Sequence, residues 1–187
     1  MRLRNVMGSF FAGATAIGLC LASATAAQAT PTPDPGTWSE IFPPLFNTAA
    51  HKCLDVPSGS NSIGLHLQLY HCHGYASDGA PQRWNFIPVG TNLYLIYNDA
   101  SGRCLQDFDP QDIVQDSCQA VDWMEWQITA TPYDPNMFLL QSYYWPNWCL
   151  SAVNASGNDR TQLTDVSPCD LSATLSSSLA EQLFALG

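Results

Sequence analysis

The chain has 187 residues, of which 46% are hydrophobic and 12% are charged, with six basic residues against sixteen acidic ones. The formal net charge of −10 argues against nucleic acid and anionic membranes as main partners, because both need a basic footprint. The length is enough for one domain with a sizeable core.

The first 29 residues are predicted to be a secretory signal peptide. Arg2 and Arg4 precede a run of apolar and small residues that ends in Ala27-Gln28-Ala29, the pattern of a signal cleaved after Ala29. The remainder has four basic residues against sixteen acidic ones, a formal charge of −12. No other apolar run is long enough to span a bilayer. We therefore predict a secreted, extracellular protein with no membrane insertion.

Cysteine spacing predicts three local disulfides. Six of the seven cysteines follow the signal peptide, and an even number in an exported domain indicates disulfide bonds. Six cysteines can pair in many ways, but these fall into three close pairs, one in each third of the domain. We predict the bridges Cys53–Cys72, Cys104–Cys118 and Cys149–Cys169.

The rest of the chain is predicted to be all-β. Residues 30–42 are rich in proline and lack periodicity, which predicts an extended leader or linker. From residue 43 onward, short β-prone runs separated by turn residues dominate, and no convincing helical periodicity appears. The predicted strands include Leu65–Tyr70, Trp84–Val89, Leu93–Tyr97, Trp126–Ala130 and Met137–Gln141.

Residues 43–187 contain three degenerate copies of one pattern. Each copy has a Cys-Leu pair, which begins at Cys53, Cys104 or Cys149, and then a second cysteine. Units of this size cannot each bury a core alone, so the repeats, at about 43–90, 91–132 and 133–187, are predicted to share one. The copies end in Gln82-Arg83-Trp84, Met124-Glu125-Trp126 and Gln182-Leu183-Phe184, and the three closing aromatic residues are predicted to be core.

This combination of Cys-Leu-Asp, a second cysteine and Gln-x-Trp resembles the ricin B-chain type lectin domain. In that family three repeats form a β-trefoil, a short six-stranded barrel capped by three hairpins. The resemblance implies a β-trefoil over residues 43–187 and a non-catalytic, carbohydrate-binding function. Closure of a barrel also removes the exposed strand edges that short β segments otherwise leave open.

The first repeat contains the candidate sugar site. Its strand Leu65–Tyr70 alternates strictly, so its leucines are predicted to face the core, and Gln68 and Tyr70 to face outward. A bridge between the two cysteines of this repeat brings Asp55 toward the same face. A carboxylate, an amide and an aromatic ring together suit a sugar, because they offer hydrogen bonds to hydroxyls and a surface for the apolar face of a pyranose.

The resemblance also implies residue roles. Asp55, Gln68 and Tyr70 match three positions that bind galactose-like sugars in the family, whereas Pro81 stands where the family has Asn. A proline has no side chain that can donate a hydrogen bond, so another group is needed at this position. The intervening loop offers His73 and Asp78 as candidates.

Gln82 is predicted to support the site from behind, by a hydrogen bond that orients Asp55. The other repeats lack the sugar-binding set, so one site per chain is predicted. The Asp55 position is taken by Gln106 and Ser151, and the Gln68 and Tyr70 positions become Val114 and Asp116, then Asp165 and Ser167.

No catalytic residue, cofactor or metal site is predicted. The chain lacks the Gly-x-Ser-x-Gly, His-Glu-x-x-His and phosphate-loop motifs. His66 has the opposite strand parity to His71 and His73, and Cys72 is assigned to a bridge, which disfavours zinc.

Three further segments carry weaker signals. Asp107, Asp109 and Asp112 lack the glycine and glutamate of a calcium loop, so a solvated acidic loop is predicted. The aromatic segment Tyr143–Trp148 is predicted to be mostly core, with a binding surface as the alternative. Asn154-Ala155-Ser156 is an N-glycosylation acceptor pattern.

Two alternatives to a lectin remain. One is a non-catalytic partner-binding or delivery subunit of a secreted assembly, with the trefoil as scaffold and Tyr143–Trp148 as the interface to a protein partner. The other is an enzyme or a protease inhibitor on a trefoil-like scaffold, for which no loop signature appears.

Overall fold

The computed structural model of this protein describes residues 33–43, 52–74, 77–109, 112–152 and 158–187. The predicted signal peptide and the glycosylation pattern at Asn154 lie outside these ranges. No helix in the described ranges has the length and apolar character needed to cross a bilayer.

Short strands dominate the described ranges, which confirms the predicted all-β class. One α-helix, α1, spans Ser177–Gln182, and 3-10 turns span Pro57–Gly59, Ser77–Gln82 and Asp122–Met124. The strands are β1 (Ser39–Phe42), β2 (Lys52–Asp55), β3 (Leu65–His66), β4 (Gln68–His71), β5 (Arg83–Gly90), β6 (Leu93–Asn98), β7 (Cys104–Asp109), β8 (Asp112–Asp116), β9 (Trp126–Ala130), β10 (Phe138–Ser142), β11 (Cys149–Ser151), β12 (Thr161–Gln162), β13 (Thr164–Val166) and β14 (Ala185–Leu186).

The strands pair antiparallel in two sheets. Eight strands of the larger sheet follow the order β13-β11-β10-β9-β6-β5-β1-β14, and β7, β8 and β3 branch from β6. The smaller sheet has the order β12-β4-β2. In both sheets strands of different repeats pair directly: β3 pairs with β8, and β12 pairs with β4.

The three repeats meet at a triplet of fully buried aliphatic residues, Leu67, Ile113 and Leu163. The Leu67 amide donates to the Ile113 carbonyl and the Leu163 amide donates to the Leu67 carbonyl, both at 3.1 Å. Each repeat therefore contributes one chain segment to a shared barrel, as the repeat pattern predicts. The fold is a β-trefoil.

The closing aromatic residues of the repeats lie in this common core, as predicted. Trp84 and Trp126 are fully buried, and their indole N–H groups donate to the carbonyls of Leu54 (3.0 Å) and Leu105 (3.2 Å), the leucines of the Cys-Leu pairs. Phe184 has no such donor, and its backbone pairs with Phe138 instead.

All three disulfides pair as predicted: Cys53–Cys72, Cys104–Cys118 and Cys149–Cys169. They join residues 19, 14 and 20 positions apart. By the chain-entropy account each contributes about 3 kcal/mol through the unfolded state. Every repeat is thus stabilised locally, although it cannot bury a core alone.

A glutamine holds the chain around the second cysteine in repeats one and three. Gln82 accepts from the amide after Cys72 (2.8 Å) and donates to the carbonyl before it (2.9 Å). Gln182 makes the same two bonds around Cys169, at 2.8 and 3.4 Å. Met124 takes this position in repeat two and packs in an apolar cluster instead.

Part of the predicted leader belongs to the domain. Ser39–Phe42 form β1, which pairs with β5 and β14, and Ile41 is fully buried in the core. The prediction of a linker over residues 30–42 is therefore wrong for this strand. The prolines dominate the composition of the stretch, and four residues are too few for alternation to appear against them.

The predicted strand Leu65–Tyr70 is divided at Leu67 into β3 and β4. Its alternation is observed, since Leu67 and Leu69 are buried while the intervening polar side chains are half-buried or exposed. The division arises because β3 pairs with repeat two and β4 pairs with its own repeat. Periodicity reports which face is buried, but not which neighbour a strand pairs with.

The helix α1 is absent from the sequence prediction. The Ser176 hydroxyl caps it by accepting from the Leu179 amide at 2.9 Å. Leu179 and Leu183 pack with Cys149 in a small satellite core. Six residues make fewer than two turns, which is too short for helical periodicity to be recognised.

The acidic segment is not the solvated loop that its composition predicts. Asp107 lies in β7 and is only 1% exposed. Burial, followed by the nearby charges of Asp165 and Asp109, raises the pKa of its carboxyl to about 7, although the neighbouring Ser142 hydroxyl partly opposes the shift. Asp107 therefore occupies a core position that only the packing of the repeats creates.

Candidate functional site

The register between β2 and β4 brings Asp55 and Gln68 together. Asp55 lies opposite Gln68, and Cys53 lies opposite Tyr70. The Gln68 Nε2 donates to the Asp55 Oδ1 at 2.6 Å. The disulfide-linked hairpin thus fixes the carboxylate and the amide as one hydrogen-bonded unit, with the tyrosine two residues along the same face.

These side chains open into a surface pocket of about 550 Å³. All five residues predicted to contact sugar line this pocket: Asp55, Gln68, Tyr70, His73 and Asp78. Pro81, the departure from the family pattern, lines it as well. Three other lining residues have no predicted role: Pro57, Ser58 and Arg160.

One wall of the pocket is aromatic. The rings of Tyr70 and His73 stack with their centroids 5.8 Å apart, and His71 stacks on His73 at 4.6 Å. The His73 Nδ1 lies 2.9 Å from the Asp78 Oδ2, so an imidazole–carboxylate pair stands at the rim. The pocket therefore combines a ring surface with polar groups of both hydrogen-bonding kinds.

The Asp55 carboxyl is almost completely buried at the base of the pocket. Burial raises its pKa above the ordinary value, and the hydrogen bonds from Gln68 and Gln82 and the nearby imidazoles partly oppose this shift. The carboxylate is consequently a poorly hydrated acceptor, and a ligand hydroxyl can bond to it with little competition from water.

Gln82 contacts Asp55 only weakly. Its Nε2 lies 3.4 Å from the Asp55 Oδ2, a longer contact than its two backbone bonds around Cys72. Because one of these bonds holds the amide of His73, Gln82 also positions an aromatic residue of the pocket. The predicted orienting role is therefore one part of a larger structural role.

Residues of repeat three complete the site, and the sequence reasoning does not identify them. The Asp159 carboxylate bonds to the buried Lys52 ammonium and accepts from the His71 amide at 2.8 Å. Arg160 lines the pocket, and its amide donates to the Leu69 carbonyl at 2.8 Å. These residues approach because β12 pairs with β4. A comparison of equivalent positions cannot find a contribution from a different repeat.

Replacement of Asp159 with Ala is expected to lower stability by about 1–2 kcal/mol and to weaken ligand binding a few-fold, because Lys52 would lose its partner and His71 its backbone anchor. Lys52 and His71 also hold the pKa of Asp159 low, at about 2, so Asp159 is ionised throughout the range from pH 5 to pH 8. Urea unfolding would measure the loss of stability, and a shift of the His71 amide resonance would report the loss of its backbone anchor. Asp34→Ala, at an exposed turn, is the control, and equal stability of the two variants would contradict the role.

Repeats two and three have no equivalent set. In repeat two, Gln106 lies opposite Val114, and Cys104 opposite Asp116, as the sequence alignment predicts. In repeat three, Ser151 lies opposite Thr164, and Cys149 opposite Val166. The predicted equivalents Asp165 and Ser167 are therefore wrong by one residue. The error arises because the alignment counts back from Cys169, whereas the register depends on the length of the turn before it.

The histidines do not gather at one point. His66 contacts Asp112 (3.5 Å) and Gln162 (2.9 Å), whereas His73 lines the first-repeat pocket and His71 stacks on the His73 ring. Within the described residues one set of three potential metal ligands comes together, namely Glu40, Cys53 and Cys72. The disulfide between these cysteines removes both thiolates, so the set does not fit a metal ion.

The aromatic segment Tyr143–Trp148 is a surface feature. Tyr143 and Tyr144 are exposed, and Trp145 and Trp148 are half-buried. The prediction that this segment is mostly core is wrong. It connects β10 and β11 as a hairpin loop, so its aromatic residues lie outside the barrel that the flanking strands close.

A trefoil of three repeats, each with its own disulfide, and with a polar and aromatic pocket in the first repeat, is typical of lectin-like β-trefoil domains. The sequence profile of the ricin-type beta-trefoil lectin domain matches residues 43–170. The chain belongs to this family. A comparison with curated protein sequences found no match.

Solved structures similar to this chain share its fold at low sequence identity. The designed 3-fold symmetric protein ThreeFoil is 20% identical, with a TM-score of 0.64 over 80% of this chain and 96% of its own. A ricin B-like lectin of Macrolepiota procera in complex with lactose is 17% identical, with a TM-score of 0.61 over 83% and 97%. The C-half of an earthworm R-type lectin in complex with GalNAc is 11% identical, with a TM-score of 0.59 over 80% and 96%.

Proposed function

We propose that this protein is a secreted, non-catalytic lectin that binds a galactose-like sugar in the first-repeat pocket. The observation that carries the proposal is the convergence of Asp55, Gln68 and Tyr70 on one pocket, where the register of β2 and β4 holds Asp55 opposite Gln68. A carboxylate and an amide at the base, beside an aromatic wall, match a pyranose with adjacent hydroxyls on one edge and an apolar face.

Each group has a defined part in this proposal. Asp55 accepts hydrogen bonds from two ligand hydroxyls, and charge-assisted bonds of this kind contribute roughly 1.5–3 kcal/mol each. Gln68 holds one carboxylate oxygen and offers its amide to the same ligand edge. Tyr70 packs on the apolar face of the ring. The pair His73–Asp78 supplies the polar contact that Pro81 cannot make.

Three further observations support the proposal. The family is a lectin family, and two similar solved structures hold lactose and GalNAc, both of which present a galactose-type ring. Three disulfides fit an oxidising compartment, in agreement with the signal peptide pattern. A net negative charge fits a neutral ligand. With one shallow site, the expected affinity is around millimolar, or about −4 kcal/mol.

The direct test is a titration of oxidised residues 30–187 with lactose, followed by ¹H–¹⁵N NMR. We expect saturable shifts of the Gln68 side-chain amide and of the Tyr70 and His73 backbone amides. Cellobiose, a disaccharide of glucose, is the matched control and should bind at least several-fold more weakly. Equal binding of both disaccharides, or lactose shifts confined to another surface, would refute the assignment of this pocket.

A partner-binding or delivery role is the second candidate, and the exposure of Tyr143 and Tyr144 favours it. In that role the trefoil presents the segment Tyr143–Trp148 to a protein of the same secreted assembly. Size-exclusion chromatography of the native protein with culture supernatant tests it. A larger complex that Tyr143→Ser with Tyr144→Ser abolishes would support this role, and elution as a monomer in both cases would exclude it.

A further inference from the structure

A second surface groove crosses repeat two, away from the first-repeat pocket. It consists of two adjoining hollows of about 350 and 280 Å³, which share Gln106 and Phe108. The first hollow is also lined by Asp112, Val114 and Asp116. Trp123 and Tyr144 complete the second.

The second hollow is walled by three aromatic rings that water contacts. Phe108 is 67%, Trp123 is 43% and Tyr144 is 47% exposed. The rings of Trp123 and Tyr144 meet edge to face, with centroids 6.2 Å apart. A cluster of exposed aromatic side chains around a hollow marks a binding surface more often than a solvated one. Such rings bind the apolar faces of sugars and also cationic groups.

A buried glutamine lines both hollows. Gln106 is only 5% exposed, and its Oε1 has no hydrogen-bond partner among the described residues. In repeat one the equivalent Asp55 is bonded by Gln68, but Val114 lies opposite Gln106 and cannot donate. Buried polar atoms are nearly always paired in folded proteins. A ligand that brings an N–H or O–H donor would satisfy this one.

The remaining polar groups of the groove are mostly acidic. The carboxylates of Asp112 and Asp116 line the first hollow, and among the residues that the structure describes neither Lys nor Arg lines either hollow. His66 lies in the same hollow, within 3.5 Å of Asp112. A ligand that fits must therefore carry hydrogen-bond donors and positive charge, in addition to an apolar face.

We propose that this groove is a second binding site, for an oligosaccharide of amino sugars whose amino groups are not acylated. Sugar rings pack on Phe108 and Trp123, a hydroxyl donates to the Gln106 Oε1, and an ammonium group pairs with Asp116. The inference rests on the proposed function in treating the trefoil as a carbohydrate-binding domain, but it uses none of the first-repeat residues. The two sites differ in charge, so one chain would bind a neutral and a cationic sugar together.

The test compares the glucosamine tetramer with its fully N-acetylated form, titrated separately into oxidised residues 30–187. We expect the glucosamine tetramer to bind at least about tenfold more tightly, since its charges meet the acidic hollow. Its affinity should fall when the salt concentration rises from about 20 to about 300 mM. The Trp123 indole resonance should shift. Equal binding of the two tetramers would overturn the proposal. Tight binding of trilysine, when neither tetramer binds, would overturn it as well.

Variants separate this site from the first. Phe108→Ala and Asp116→Asn are each expected to weaken glucosamine-tetramer binding about tenfold, while lactose binding is unchanged. Leu175→Ala, which removes an exposed apolar side chain outside the groove, should change neither. Asp55→Asn should affect lactose only. Lactose binding without tetramer binding would refute the second site alone, and tetramer binding without lactose binding would refute the first alone.

Discussion

Replacement of Asp55 with Asn is expected to reduce lactose affinity by about 100-fold. Because the unmodified protein is expected to bind lactose at around millimolar concentration, binding by the variant would be too weak to detect. The isosteric amide removes the charge that strengthens bonds to the ligand hydroxyls, and it replaces one acceptor oxygen by a donor. NMR titration with lactose measures the loss. The fold should survive, because the Asn carbonyl can still accept from Gln68.

The control for this variant is Asp34→Asn, which removes the same charge from an exposed turn. It should bind lactose like the unmodified protein. If Asp55→Asn retained full lactose affinity while remaining folded, the carboxylate would have no part in recognition, and the site assignment would fail.

The buried state of Asp55 also implies a pH dependence of binding. Its pKa is raised by burial, so the carboxylate is lost at a higher pH than for an exposed aspartate. Lactose affinity should therefore decrease on the acid side of neutrality, where the acceptor becomes protonated.

The second large effect concerns Asp107, whose replacement with Asn is expected to stabilise the protein by about 2–4 kcal/mol at pH 7.5. Its pKa is about 7 in the folded chain and near 3.8 when exposed. The folded state therefore holds a proton that the unfolded state releases between these values. The stability due to this group is complete below pH 4 and is lost as the pH rises through 7. The Asn side chain removes this loss, so the variant should gain stability at pH 7.5 and almost none at pH 4.

Urea unfolding at pH 4, 5.5 and 7.5 would measure this effect, with Asp109→Asn as the control. Asp109 lies in the same strand and is exposed, so its replacement should change stability by less than about 0.5 kcal/mol at every pH. A gain in the Asp107 variant that did not depend on pH would show that packing, rather than titration, is responsible.

Other carboxyl groups act in the opposite direction at lower pH. The pKa of Asp159 is lowered to about 2, mainly by Lys52, and that of Asp170 is lowered by bonds from Ser172 and Ser176. Stability due to these groups is present above pH 4 and is lost as the pH falls through the pKa values of these carboxyl groups in the folded state. Together with Asp107, they predict maximal stability in a mildly acidic range.

The three repeats place different side chains on one framework. The Cys-Leu pair, the disulfide and the closing aromatic residue recur because the shared barrel requires them. At the position after the Cys-Leu pair, repeat one has Asp55, which is hydrogen-bonded to the Gln68 amide. Repeat two has the buried Gln106 at this position, opposite Val114. The same hairpin geometry therefore produces two surface hollows with different chemistry.

The sequence by itself predicted the three bridges, and through its resemblance to the ricin B-chain type lectin domain it indicated the trefoil and five of the nine residues that line the first pocket. These features depend on local patterns: spacing of cysteines, alternation along one strand, and repetition of a motif. Each pattern lies within a short stretch of the sequence, because a disulfide or a strand face restricts which nearby residues can come into contact.

Only the tertiary structure decided which residues of other repeats complete these sites. Lys52 and Asp159 are 107 positions apart, and the aromatic groove joins side chains of repeat two to Tyr144 of repeat three. The same packing buries Asp107, exposes the segment Tyr143–Trp148 and adds β1 to the barrel. No local pattern records such contacts, because they arise from how the repeats close around one axis rather than from any single repeat.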